Sequence, residues 1–145
     1  MVERFTGELA PLRFNMAEYC IGRAARRAPA KPALIVVTDP LRAAPSEVWT
    51  FAEIERAVLA IAAGLRREGL APGARILIRL PNTSSYALLF FGAIAGGFVP
   101  LPASTQLTAQ EVDFLLTDSG AQAIAIDPAM AVGTPPAGVR VIDAG

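Results

Sequence analysis

Three stretches of this 145-residue chain are written as helix starts, and they limit where helices can lie before anything else is considered. In each, a residue able to cap a helix is followed three positions later by a glutamate, with apolar residues just before the cap and four positions after it. They are Phe14-Asn15 with Glu18-Tyr19, Trp49-Thr50 with Glu53-Ile54, and Leu107-Thr108 with Glu111-Val112. The spacing suits a capping box, in which the cap oxygen accepts the third helical N–H while the glutamate reaches back to the cap N–H and the apolar pair closes over both. Asn15 departs from the usual Ser or Thr. The first helix is expected to run to Ala28, stopped by Pro29. The second carries Ile54, Val58, Ile61 and Leu65 at helical spacing up to Gly69, which can take a left-handed cap with Leu70 packing back. The third ends near Ser119-Gly120.

Short apolar runs alternate with these helices: Ala33 to Val37, Arg75 to Leu80, Phe98 to Leu101, Ala123 to Ile126 and Val139 to Ile142. They read as strands buried on both faces. A fourth helix is expected from about Ser84 to Ala95, and Val48-Trp49 as a short extra strand before the second helix. A βαβα alternation requires crossover connections, so the expected fold is α/β: three layers, with a mostly parallel sheet flanked by helices. Leu41 to Ser46 and Asp127 to Gly138 read as surface loops.

Composition removes several functions. Lys+Arg and Asp+Glu are both 13, so no net field draws a polyanion, and nucleic acid is not an expected partner. With no histidine and a single cysteine, Cys20, the chain cannot build a disulfide, a Cys/His zinc site or a Ser-His or Cys-His catalytic pair. The most apolar run, Tyr86 to Val99, is shorter than the roughly 17–25 residues a membrane span needs, and Gly96-Gly97 and Pro100 break it. Met1 to Leu12 lacks the apolar core of a signal peptide, which makes a cytoplasmic setting the expectation. Hydrophobic residues are 53% and charged residues 18%, against about 25% charged in a typical domain. Some of that apolar surface is expected to meet something beyond the chain, and the isolated chain to self-associate.

A parallel sheet invites a nucleotide, yet neither Gly-x-Gly-x-x-Gly nor Gly-x-x-x-x-Gly-Lys-Ser/Thr occurs. The only lysine, Lys31, precedes a proline at a strand entrance. Gly92, Gly96 and Gly97 close a helix, whereas a phosphate cradle opens one. They are read as permitting close packing and a turn. Glu18, Glu53 and Glu111 are accounted for by capping, while Glu55, Glu68, Asp113 and Asp118 belong on solvated faces. Cys20 is expected to be buried beside Ile21, and Trp49 and Phe90-Phe91 to pack in the core. No catalytic or metal-binding residue emerges.

Four segments in order carry a further message: Thr50 to Ile54, Gly69 to Ile76, Leu80 to Ser84 leading through Ala93-Ile94-Ala95-Gly96-Gly97 to Pro102, and Leu107 to Val112 through Asp118 to Ala121. Over about Asn15 to Asp127 they resemble the amino-terminal region of the adenylate-forming superfamily of acyl- and aryl-CoA synthetases, luciferases and peptide-synthetase adenylation domains. The resemblance implies a two-step ligase that turns a small-molecule carboxylate and ATP into an acyl-adenylate and pyrophosphate, then passes the acyl group to a thiol, usually that of CoA. ATP, magnesium and CoA are what it implies for a full-length enzyme. It also implies that residues 1–145 are the first subdomain of the large N-terminal adenylate-forming domain, without the Ser/Thr/Gly-rich ATP loop or the mobile C-terminal domain that bears the catalytic lysine. The chain by itself is then expected to be inactive, holding neither ATP, magnesium nor CoA. Many members carry a Pro-Leu-Asn-Pro-Arg-Leu-Thr pattern whose arginine, in some, reaches the CoA phosphates; here Gln106 stands at that place, in Pro102 to Thr108. A neutral amide supplies no charge-assisted phosphate contact, so either other residues hold CoA or the acceptor is another thiol. Two alternatives stay open: a fatty-acyl-AMP ligase that loads a carrier protein, and a non-catalytic α/β binding module.

Overall fold

The computed structural model describes residues 13–41, 44–130 and 133–144. Two of the capping boxes form as spaced. Helix α2, Phe51–Arg67, and helix α4, Ala109–Ser119, open on Thr50 and Thr108. Glu53 accepts the Thr50 N–H at 2.8 Å and its hydroxyl at 2.7 Å, and Glu111 accepts the same two groups of Thr108, each at 2.8 Å. Trp49 and Leu107 pack beside Ile54 and Val112 as the apolar closures. Gly69 takes the left-handed conformation after α2 (φ +74°), with Leu70 buried behind it.

The first start is only half a box. Asn15 Oδ1 accepts the N–H groups of Ala17 (3.0 Å) and Glu18 (3.2 Å), and Phe14 meets the Tyr19 ring at 5.3 Å. Glu18 turns away to pair with Arg26 instead of reaching back to the cap. The segment is a π-helical turn, Glu18–Gly22, continuing into helix α1, Arg23–Arg27. This widened turn presents Ala17, Ile21 and Ala25 to the interior, and Cys20, expected to be buried, is exposed.

A parallel four-stranded sheet holds strands in the order β4-β3-β5-β6, where β3 is Arg75–Arg79, β4 Val99–Pro102, β5 Ala123–Ile126 and β6 Arg140–Asp143. Side chains alternate across it. Ile76, Ile78, Ala123 and Ala125 face α2 and helix α3, Ser84–Gly96, through Leu65, Leu89 and Ala93; Leu77, Ile124 and Ile126 face α4 through Val112 and Leu116. The three expected layers are therefore present. The segment before α1 packs outside them, Ala17 and Ile21 on Ile54, Val58 and Leu88.

Not every apolar run is buried on both faces. Only β3, apart from Arg75 at its start, and β5 are. The run at Ala33 to Val37 becomes β1, Pro32–Val36, which pairs antiparallel with β2, Glu47–Thr50, in a separate two-stranded sheet with Ile35 58% exposed. The short strand expected at Val48-Trp49 is thus its partner. β4 and β6 are edges, and β4 shows why: Val99 and Ala103 donate to Ala74 and Ile78 on the β3 side. The alternate residues Pro100 and Pro102 then direct their donorless nitrogens to the open edge, which suits proline. Of the two expected loops, residues 42–43 and 131–132 lie outside the described residues, as do Met1 to Leu12; Pro128–Met130 form a single 3₁₀ turn.

Candidate functional site

In an open parallel sheet, ligands lie beyond the carboxyl ends of the strands, where successive connections leave in opposite directions. Here β3 runs through α3 to β4 on one side, α4 returns the chain to β5 on the other side of β3, and β5 leads on to β6. The change of direction falls between β3 and β5. Loops at residues 80–83, 103–108 and 127–130 meet at that edge.

Arg79, paired in register with Ile126, ends β3 there and is 3% exposed. Its two terminal nitrogens donate to three backbone carbonyls: Met130 O at 2.6 Å, Leu107 O at 3.3 Å, and Thr105 O. All its hydrogen-bond partners among the described residues are carbonyls, and its Nε is buried with none. Gln106 lies exposed between the two held carbonyls of the 103–108 loop, its N–H donating to Ser104 Oγ at 3.2 Å. At the same edge α3 starts at Thr83 with no side-chain cap, in contrast to α4.

Arg79 did not stand out in the sequence as a functional residue. The available signal is a charge at the end of a run, Arg75 to Leu80, that reads as buried on both faces, since a charge taken out of water there needs partners. Gln106, singled out only through the family resemblance, lies exposed in the loop after β4. The glycines behave as packing residues: a Cβ on Gly92 would lie 2.4 Å from Ile61 Cγ2, and one on Gly96 2.5 Å from the Phe98 ring, while Gly97 caps α3 at φ +80°. Lys31 stands at the entrance of the outer β1–β2 ribbon, just before Pro32.

Among the described residues, the carboxylates with displaced titration are all explained by local partners. Glu53 and Glu111 are held below the ordinary carboxylate value by the backbone N–H and then the hydroxyl of their capping threonines. Glu47 is lowered by the Trp49 indole N–H and the Ser84 hydroxyl, and Glu18 by Arg26. Among the described residues no group of three or more His, Cys, Asp or Glu could hold a metal ion. An apolar cavity of about 350 Å³ lies between α2, α3 and β6, lined by Ile61, Leu65, Leu89 and Ile142, and a smaller one of about 210 Å³ is bordered by Cys20, Phe51 and Phe91. The larger one also touches Ser85 at the start of α3 and Asp143 and Ala144 at the end of β6.

Comparison with known proteins adds an independent line. The family described as AMP-binding enzyme matches residues 21–143. A long-chain-fatty-acid–CoA ligase of Mycobacterium tuberculosis is 32% identical over 99 residues, which are 68% of this chain and 19% of that ligase. The chain thus spans about a fifth of the curated relative's length. Among solved structures, a benzoate CoA ligase from Burkholderia xenovorans is similar with a TM-score of 0.67 at 30% identity, covering 81% of this chain and 22% of the ligase. O-succinylbenzoate coenzyme A synthetase from Bacillus subtilis, in complex with AMP, shares the fold with a TM-score of 0.74 at 22% identity, covering 86% of this chain and 30% of the synthetase.

Proposed function

The chain belongs to the AMP-binding enzyme family, and from that premise we propose that residues 1–145 form the amino-terminal subdomain of a longer adenylate-forming acyl- or aryl-CoA ligase. The observation that carries this reading is the match over most of the chain together with relatives named as fatty-acyl and benzoate CoA ligases. The reaction would join a carboxylate to the α-phosphate of ATP, with magnesium, releasing pyrophosphate, and then transfer the acyl group from AMP to the sulfur of CoA. In this reading the chain supplies one wall of the site, the carboxyl edge of its parallel sheet, and Gln106 faces the acceptor side. A cytoplasmic setting goes with the soluble small-molecule substrates; among the described residues no helix is long and apolar enough to cross a membrane.

The glycines and the lysine among the described residues do not by themselves make a phosphate cradle for a nucleotide. Adenylation needs donors and a cation preorganised around the α-phosphate. Gly92 and Gly96 are committed to packing, Gly97 closes α3, and Lys31 is on the outer ribbon. Phosphate handling is therefore assigned to the remainder of the polypeptide, and the chain alone is expected to bind no ATP in calorimetry. A carrier-protein acceptor is the second reading, favoured by the neutral, exposed Gln106. The test is carboxylate-dependent exchange of labelled pyrophosphate into ATP by the full-length protein across fatty and aromatic acids. Exchange with one acid class supports the ligase and names its substrate; a folded full-length protein that exchanges with none removes the assignment. Thioester formation on CoA against a carrier protein separates the two acceptors.

A further inference from the structure

Arg79 occupies a place where leucine or isoleucine would fill the interior without desolvating a charge. What the guanidinium gains there is three charge-assisted hydrogen bonds, two to the 103–108 loop at Thr105 and Leu107 and one to Met130 beyond β5. A planar fork can hold several carbonyls at once, and a lysine ammonium on the same strand would not match that geometry. The two loops are separated by the whole of α4 in sequence, yet one side chain ties them together under the crevice between β3 and β5. Neither loop is part of the sheet's own ladder at these carbonyls, and among the described residues no other hydrogen bond joins the two loops.

We propose that Arg79 is a positioning residue which locks the 103–108 and 127–130 loops as walls for a phosphate-bearing substrate at the carboxyl edge of the sheet. This rests on the ligase reading, under which that substrate is either ATP or CoA. Arg79 touches neither; it acts through the loops.

The test compares full-length wild type with Arg79→Met and Arg79→Lys. In Arg79→Met, amide hydrogen exchange in 103–108 and 127–130 should accelerate about tenfold while β3 and β5 keep their protection, the mark of local and not global opening. The KM for ATP, read in pyrophosphate exchange, or for CoA, read in thioester formation, should rise about tenfold with kcat nearly unchanged, as expected when binding geometry alone is relaxed. Arg79→Lys should fall between the two. A rise confined to ATP assigns the walls to the nucleotide, and one confined to CoA assigns them to the acceptor. Loosened loops with both KM values unchanged would overturn the proposal, as would loops that stay protected, or a parallel loss of every activity and of strand protection. A wild-type enzyme with no exchange on any acid would overturn the underlying ligase reading, a different result that the loop-protection data leave distinguishable.

Discussion

Thr50 and Thr108 show how much a single side chain can specify when its partners are three residues away. Each hydroxyl accepts the N–H of its glutamate at 3.4 Å while the carboxylate holds the threonine N–H. Thr50→Ala and Thr108→Ala should each lower stability by about 1 kcal/mol in urea unfolding, the usual cost of losing a cap. The carboxylate side of the box adds a pH dependence. Glu111 has its folded pKa depressed by the Thr108 backbone N–H and hydroxyl, so its contribution is complete above the unfolded value and lost as pH falls through the folded one. Glu111→Gln should therefore be less stable than wild type at neutral pH, and the gap should begin to narrow as the pH drops below the ordinary glutamate value of about 4.3 and close only below the lowered folded value. A gap that persists or widens in acid would contradict this. Glu18 marks the limit of such reading. It has the same spacing from Asn15, but Arg26 two turns on attracts its carboxylate, and the box stays open.

The contact between helices α2 and α3 turns on glycine. Gly92 lets the two approach until an added Cβ would stand 2.4 Å from Ile61 Cγ2 and 3.4 Å from the Val58 carbonyl. Gly92→Ala should force them apart at a cost of about 1–3 kcal/mol, the range for overpacking. Gly64, in the last turns of α2, has nothing within 4 Å of its missing Cβ. There alanine should raise stability by about 0.5–1 kcal/mol through helix preference alone. Opposite signs from one substitution in two neighbouring helices, read by thermal or urea unfolding, would confirm that close approach and not flexibility explains Gly92. Strands teach the converse. β1 and β5 are both short apolar runs, yet β5 is central and fully buried while β1 lies in an outer ribbon. Local pattern reports that a run can be a strand, and pairing decides which surface covers it.

At the scale of the molecule, apolar side chains remain at the surface: Ile35, Val37 and Val48 at the ribbon, Val99 on β4 and Val141 on β6. Both edges of the four-stranded sheet belong to β4 and β6, and β6 has no prolines to blunt it. The isolated chain should therefore associate with rising concentration in sedimentation, and Val141→Lys should reduce that association; a clean monomer at high concentration would count against it. The sequence by itself determined the helix starts, the left-handed cap at Gly69, the alternation of strand and helix and the family, because each depends on residues close together in the chain or on segments in fixed order. It also placed Gln106 in the loop after β4. Only the tertiary structure decided that β1 leaves the sheet, that Cys20 faces water and that Arg79 is buried beneath two loops at the carboxyl edge. The carbonyls that satisfy Arg79 lie 26, 28 and 51 residues away. No local pattern connects them to it; the crossover through α3 and the return through α4 bring them to one point.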